Sequence, residues 1–169
     1  CVVLQKKKKS KTFALLLSSP IHLVEIIAGK FLACMIVVGL MILLSAYSTG
    51  YLMLIGQPET GPVITGYLGI LLMSGCYVSM GLFASSLTDN QIIAAVISFG
   101  LALFMWIIGW GAQASGSGLG QLLEYLSLIT HLEHFLKGLI SSSDLVYYLS
   151  FIFFGLFLTH RVLESSRWR

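Results

Sequence analysis

The chain has 169 residues, of which 57% are hydrophobic and only 10% are charged. A soluble domain carries about 25% charged residues, so this composition excludes an ordinary soluble protein. The net charge is +3, and its clustering near the two chain ends does not indicate a nucleic-acid partner. Cys34 and Cys76 lie inside apolar runs, where we interpret them as small buried residues rather than disulfide partners or metal ligands.

The first 30 residues are predicted to form a cytoplasmic N-terminal segment. The chain begins Cys1-Val-Val-Leu-Gln before a lysine run, whereas a signal peptide has its apolar region after the positive charge. We therefore expect this start to be the edge of a longer protein or a wrongly assigned start. Within Thr12–Lys30, Pro20 interrupts moderately apolar sequence. This pattern predicts two short helices that lie along the membrane surface or contact a partner.

Four uncharged, apolar runs follow, and they predict an all-α, polytopic transmembrane bundle. About 20 apolar residues are enough to cross a hydrocarbon core of roughly 30 Å. The runs place the spans at about 31–55, 63–87, 92–112 and 145–163, within a transmembrane domain of residues 31–169. In the last span the uncharged run ends at Thr159, and His160 and Arg161 are expected to reach the membrane surface. Ion-coupled transporters and intramembrane enzymes need ionisable groups at membrane depth. Since these runs offer none, we expect any transport to be energised by another protein, and we predict no catalytic residue.

The second span is rich in glycine and serine. Gly75 with Ser79, and Gly81 with Ser85, repeat the small-xxx-small spacing that lets membrane helices approach closely. We interpret this ladder as a packing face rather than a pore lining. After it comes a predicted cytoplasmic turn, formed by Thr88, Asp89, Asn90 and Gln91. Here Thr88 is expected to cap the next helix, with Gln91 completing a capping box.

The connection before the last span predicts outer interfacial helices over about 119–140, because apolar residues recur there at helical spacing. His131 and His134 share one helical face and could bind a transition metal with Glu124. A solvated interfacial helix explains the same residues, and no cysteine is nearby. We adopt that interpretation and predict no metal site.

The cations favour one orientation. With four spans, nine of the ten Lys and Arg residues fall on the side that carries both termini, and only Lys137 falls on the other. By the positive-inside rule, this distribution predicts cytoplasmic termini.

Several motifs together resemble ABC-2-type transporter permeases, and in particular the gliding-motility-type subgroup. The stretch Thr12-Phe-Ala-Leu-Leu-Leu-Ser-Ser-Pro20 with Gly29-Lys30 is similar to their Ser-Pro loop. Gly81–Gln91 is similar to a cytoplasmic turn of the family. Leu128–Gly138 and Arg161–Arg169 are similar to outer-loop and C-terminal signatures of the subgroup. The resemblance covers nearly the whole chain from Thr12.

The resemblance implies a six-helix permease of the bacterial cytoplasmic (inner) membrane, of which this chain would hold helices three to six. It also implies docking of a separate cytoplasmic ATPase, which would bind ATP and Mg²⁺, and pairing with a second permease subunit in a homodimer or heterodimer. Lys11 and Ala14 depart from the family pattern, which has Gly and Glu there. The residues carried over to ATPase coupling are Thr12, Leu16, Leu17, Ser19, Pro20, Ile21 and Glu25. Those carried over to the outer-loop signature are His131, Glu133, Phe135 and Gly138.

The function expected from these observations is the membrane subunit of an ATP-driven exporter, with no cofactor of its own. The alternative is a non-transport membrane scaffold or anchor of an envelope complex, or an inactive fragment. An intramembrane or metal-dependent enzyme is disfavoured by the uncharged spans. Nothing in the sequence identifies a substrate.

Overall fold

The computed structural model describes residues 23–56, 60–114 and 125–167. These ranges contain five helices, which are α1 (Leu23–Ile55), α2 (Thr60–Leu87), α3 (Gln91–Ala114), α4 (Leu128–Leu136) and α5 (Ser142–Arg167). Four of them, α1, α2, α3 and α5, are long and apolar enough to cross a membrane. The prediction of an all-α bundle with four spans is therefore confirmed. Of the predicted outer interfacial helices at about 119–140, the described residues show the short helix α4.

Helix α1 begins earlier than the charge pattern suggested. It is continuous from Leu23, so the second of the two predicted short helices is instead the first part of α1. With 33 residues, α1 is about 50 Å long, which exceeds a hydrocarbon core of about 30 Å. Its first two turns can therefore carry Glu25 and Lys30 without placing charge in the apolar core. The other predicted short helix lies outside the described residues.

The long helices alternate in direction. Near one end of the bundle, Val24 and Ile27 of α1 line a cavity together with Phe157 and His160 of α5. At the other end, the hydroxyl groups of Thr49 on α1 and Tyr67 on α2 form a hydrogen bond. The start of α1 and the end of α5 thus share one end of the bundle.

Helix α2 is the centre of the bundle. In its most apolar stretch 50% of the residues are buried, against 6% in α1 and 11% in α3. Small residues make this position possible, because a Cβ atom built at Gly75 would lie 2.8 Å from the Cδ1 atom of Ile152 on α5. One built at Gly69 would lie 2.8 Å from the Cβ atom of Phe135 on α4. The predicted packing face of the second span is confirmed, and Cys76 within it is fully buried as predicted. Cys34 is only partly buried.

The cap of α3 differs from the prediction. The Asn90 side-chain oxygen accepts a hydrogen bond from the backbone N–H of Ile92 at 3.0 Å. The Thr88 hydroxyl oxygen accepts from the N–H of Asn90 at 3.2 Å, inside the turn. Because Gln91 is already the first helical residue, the N-cap is Asn90 and the capping box predicted from Thr88 is wrong.

Helix α4 packs on α2 at the end of the bundle opposite the start of α1. Ser127 caps its N-terminus by accepting a hydrogen bond from the Thr130 N–H. Its C-terminus is a Schellman motif, in which Gly138 and Leu139 donate to the carbonyl groups of Phe135 and His134. Gly138 has a φ of +80°, a left-handed conformation that glycine adopts without steric cost.

Candidate functional site

A cluster of two histidines and one aspartate joins α4 to the first turn of α5. The Nδ1 atom of His131 lies 2.6 Å from Oδ1 of Asp144, and the Nδ1 atom of His134 lies 2.9 Å from Oδ2 of the same carboxylate. The two imidazoles can reach one carboxylate because residues three apart on a helix share a face. The carboxylate is 2% exposed, so both of its oxygens rely on the histidines for hydrogen bonds.

The two histidines differ in their surroundings. The side chain of His131 is 9% exposed, whereas that of His134 is 46% exposed. We interpreted this helix as solvated, and for His131 that interpretation is wrong. Glu124, which the sequence suggested as a third metal ligand, lies outside the described residues, and Asp144 is the acidic residue that meets the histidines.

Three tyrosines enclose the buried imidazole. The Tyr147 ring stacks on the His131 ring with centroids 4.2 Å apart, and the Tyr125 and Tyr148 rings meet it edge-on. Two of the phenol groups also connect α5 to the backbone near the start of α4. Tyr147 donates to the carbonyl of Leu126 and Tyr148 donates to that of Leu128, each at 2.7 Å. The orientation of the His131 ring is therefore held from several sides.

His131 uses both of its ring nitrogens. Nε2 lies 3.1 Å from the backbone carbonyl oxygen of Tyr125, while Nδ1 faces the carboxylate of Asp144. Both neighbours are oxygen acceptors, so Nε2 donates its proton to the carbonyl. A second proton is shared between Nδ1 and the carboxylate, because a lone pair there would face another lone pair at 2.6 Å.

The other three residues of the outer-loop signature lie outside the cluster of His131, His134 and Asp144. Phe135 is fully buried, and its ring lies 6.2 Å from that of Tyr148 between centroids. Glu133 is half exposed and lies 3.9 Å from the ammonium group of Lys137, a surface pair that contributes little. Gly138 ends α4 and lies against Pro62 at the start of α2. Only His131 belongs to a polar cluster.

Most of the predicted ATPase-coupling residues lie outside the described part of the chain. Glu25 alone is described, and it is an exposed residue in the first turn of α1. The residues predicted to form a cytoplasmic turn lie between α2 and α3, at the same end of the bundle as the start of α1, and their side of the membrane stays a prediction. Asp89 and Asn90 in this turn are exposed, and Thr88 is partly buried.

Sequence reasoning missed Asp144 and the tyrosines as members of the site. A signal was present, since an acidic residue followed directly by a long apolar run must find a partner or stay at the interface. Asp144 lies 13 residues from His131 along the chain, so the sequence spacing did not indicate that the two residues pair.

The comparison with protein families gives a clear match. The model for the ABC-2 family transporter proteins matches residues 3–158, which is most of the chain. No curated protein and no solved structure matches the chain significantly.

Proposed function

This chain belongs to the ABC-2 transporter family, and we propose that it is the permease subunit of an ATP-driven exporter, energised by a separate cytoplasmic ATPase. The observation that carries the proposal is the family match over residues 3–158, on a chain with four helices able to cross a membrane. The protein is thus a multi-pass membrane component of a transporter. We propose in addition that transport runs outward and that a separate ATPase supplies the energy.

The distribution of charge supports an external energy source. The stretches Phe31–Ile55, Val63–Leu87 and Ile92–Ala112 contain no Asp, Glu, Lys, Arg or His. Proton or ion coupling needs such groups at membrane depth. The polar cluster around Asp144 lies in the first turn of α5, at the edge of the bundle rather than at its middle. A cytoplasmic ATPase that binds ATP and Mg²⁺ would supply what the spans lack.

We propose cytoplasmic termini in a bacterial inner membrane. The start of α1 and the end of α5 share one end of the bundle. Of the ten Lys and Arg residues, six precede Phe31 and three follow Thr159, so nine belong to this end. Helix α4 lies at the other end. The positive-inside rule then gives α4 the outer side.

We further propose that Thr12–Glu25 is the docking segment for the ATPase, and that a second permease subunit completes the transporter. Both statements rest on the resemblance to ABC-2 permeases, as does the assignment to the gliding-motility-type subgroup. The apolar residues Leu16, Leu17 and Ile21 in this segment are suited to contact a partner protein.

The test is co-purification of the chain with its cognate ATPase. Changing both Leu16 and Leu17 to Asp should abolish binding of the ATPase and lower ATP hydrolysis to the rate of the isolated ATPase. Membrane insertion should persist, since no span is altered. Leu139 and Ile140 provide the matched control, because both are 62% exposed and lie at the opposite end of the bundle. The same two substitutions there should leave the ATPase bound.

If the Leu16 and Leu17 variant keeps both the ATPase and its stimulated activity, Thr12–Glu25 is not the docking segment. If the unaltered chain recruits no ATPase and stimulates no hydrolysis, the protein is a membrane scaffold or an inactive fragment, and the proposed exporter function is wrong.

A further inference from the structure

We propose that His131, His134 and Asp144 form a binding site for a late first-row divalent metal ion such as Zn²⁺, which fastens α4 to α5. The ligand atoms are Nδ1 of each histidine and one carboxylate oxygen, and these atoms all lie within 4.8 Å of one another. Two imidazoles and one carboxylate, with a fourth position left for water, are a donor set that zinc uses in proteins. The site is independent of the proposed transport function.

The backbone carbonyl of Tyr125 prepares His131 for this role. A metal-binding histidine commonly donates its second ring N–H to a carbonyl or carboxylate, which fixes the tautomer and directs the other nitrogen at the metal. Here Nε2 of His131 donates to Tyr125 over 3.1 Å, so Nδ1 is the nitrogen left for the metal. The stacked Tyr147 ring holds the imidazole plane in place.

The metal would replace hydrogen bonds that now close the cluster. Metal–ligand distances of about 2.0–2.2 Å put neighbouring ligand atoms of a tetrahedral site roughly 3.3 Å apart. The present N···O distances of 2.6 and 2.9 Å are hydrogen-bond lengths, so the ligands must separate by several tenths of an ångström. Between His134 and Asp144 the histidine can make that movement, because its side chain is 46% exposed. Between His131 and Asp144 the carboxylate must turn instead, because the imidazole is held in place by its neighbours. The exposure of His134 also provides the path by which an ion enters.

The choice of metal follows from the donors. Imidazole nitrogen suits Zn²⁺, Cu²⁺ and Ni²⁺, whereas Mg²⁺ prefers oxygen ligands and keeps its water shell. Zn²⁺ and Mg²⁺ are therefore the probe and the control ion.

The experiment is isothermal titration of Zn²⁺ into the full-length protein, purified in detergent without a polyhistidine tag and treated with chelator. We expect one Zn²⁺ bound per chain. His134→Gln should weaken binding at least tenfold while leaving the thermal unfolding of the metal-free protein nearly unchanged. Mg²⁺ should give no binding heat.

The matched control is His160→Gln at the other end of α5, whose side chain is 31% exposed and lies 3.9 Å from Glu164. This change should leave Zn²⁺ binding intact. Absence of Zn²⁺ binding, or binding that His134→Gln leaves unchanged, would overturn the proposal and leave the cluster as a hydrogen-bonded brace only. ATPase recruitment is measured separately, so its failure and the failure of the metal site are distinguishable.

Discussion

Gly155 on α5 lies directly against Ser79 on α2. A Cβ atom built at Gly155 would be 2.7 Å from the hydroxyl oxygen of Ser79 and 3.0 Å from its Cβ atom. Real Cβ atoms do not approach so closely, so the helices can meet here only because residue 155 has no side chain. Membrane helices associate through such close packing, since lipid supplies no hydrophobic force between them.

Gly155→Ala should therefore destabilise the bundle, because the new methyl group must push α5 away from α2. Overpacking of this kind typically costs about 1–3 kcal/mol. We expect a lower midpoint of thermal unfolding in detergent, followed by circular dichroism. Ser79→Gly in the same chain should restore much of the loss by removing the opposing Cβ atom. Gly100→Ala is the control, since a Cβ atom there meets nothing within 4 Å, and an equal loss in this variant would contradict the argument.

Gly75 tests a second close contact between α2 and α5. A Cβ atom at this position would lie 2.8 Å from the Cδ1 atom of Ile152 and 3.7 Å from the Cε atom of Met35 on α1. Because the nearest atom is the end of a flexible side chain, Gly75→Ala should be tolerated, whereas Gly75→Leu should reduce the amount of folded protein recovered. Ile152→Ala should partly rescue Gly75→Leu. Leu71→Ile, at a residue 39% exposed, should be harmless, and equal yields from all variants would show that Gly75 is not at an interface.

Thr65 tests the attachment of α4 to α2. Its hydroxyl group donates to the carbonyl oxygen of Phe135 at 2.6 Å, near the C-terminus of α4, where the same carbonyl also accepts from the Gly138 N–H. Thr65→Val keeps the shape of the side chain and removes the donor, so it should lower the free energy of unfolding by about 1 kcal/mol. Thr65→Ser keeps the hydroxyl group and should lose less. Denaturant unfolding in detergent measures both variants, and equal losses would mean that the hydrogen bond contributes nothing.

The elements of the fold were predictable because they depend on local composition. Long apolar runs predicted four spans, and the Gly75 and Ser79 spacing predicted the packing face of α2, since both signals lie within one segment. The N-cap of α3 was assigned to Thr88 rather than Asn90 because adjacent polar residues in a short turn all satisfy the same cap preference. The choice between them depends on backbone geometry.

The cluster on α4 was less predictable. The pairing of His131 with Asp144 joins two helices, and sequence spacing carries no information on which faces meet across a turn. Burial of His131 depends in turn on Tyr147 and Tyr148, which read as ordinary aromatic residues of an apolar span. The start of α1 at Leu23 differs from the prediction for another reason, because charged residues at the edge of an apolar span do not end the helix that carries them.

The two ends of α5 test the proposed orientation. Ser143 and Ser165 are both exposed and lie 22 residues apart, or about 33 Å along the helix axis. With Cys1, Cys34 and Cys76 replaced, Ser143→Cys should react with an impermeant thiol reagent added to intact cells. Ser165→Cys should react only after permeabilisation. The reverse pattern would place the termini outside and exclude docking of a cytoplasmic ATPase on Thr12–Glu25.

Asp144 and Glu133 should differ sharply in their contributions to stability, although each pairs with basic side chains at the same end of the bundle. Asp144→Ala leaves buried His131 without its partner, and breaking a buried pair in this way costs about 3–5 kcal/mol. Glu133→Ala removes a solvent-exposed contact of 3.9 Å to Lys137, which contributes at most about 0.5 kcal/mol. Denaturant unfolding in detergent, with chelator present to exclude any metal, measures both variants. Similar losses for the two would mean that Asp144 is accessible to water in the folded protein, and the buried cluster described for α4 and α5 would then be wrong.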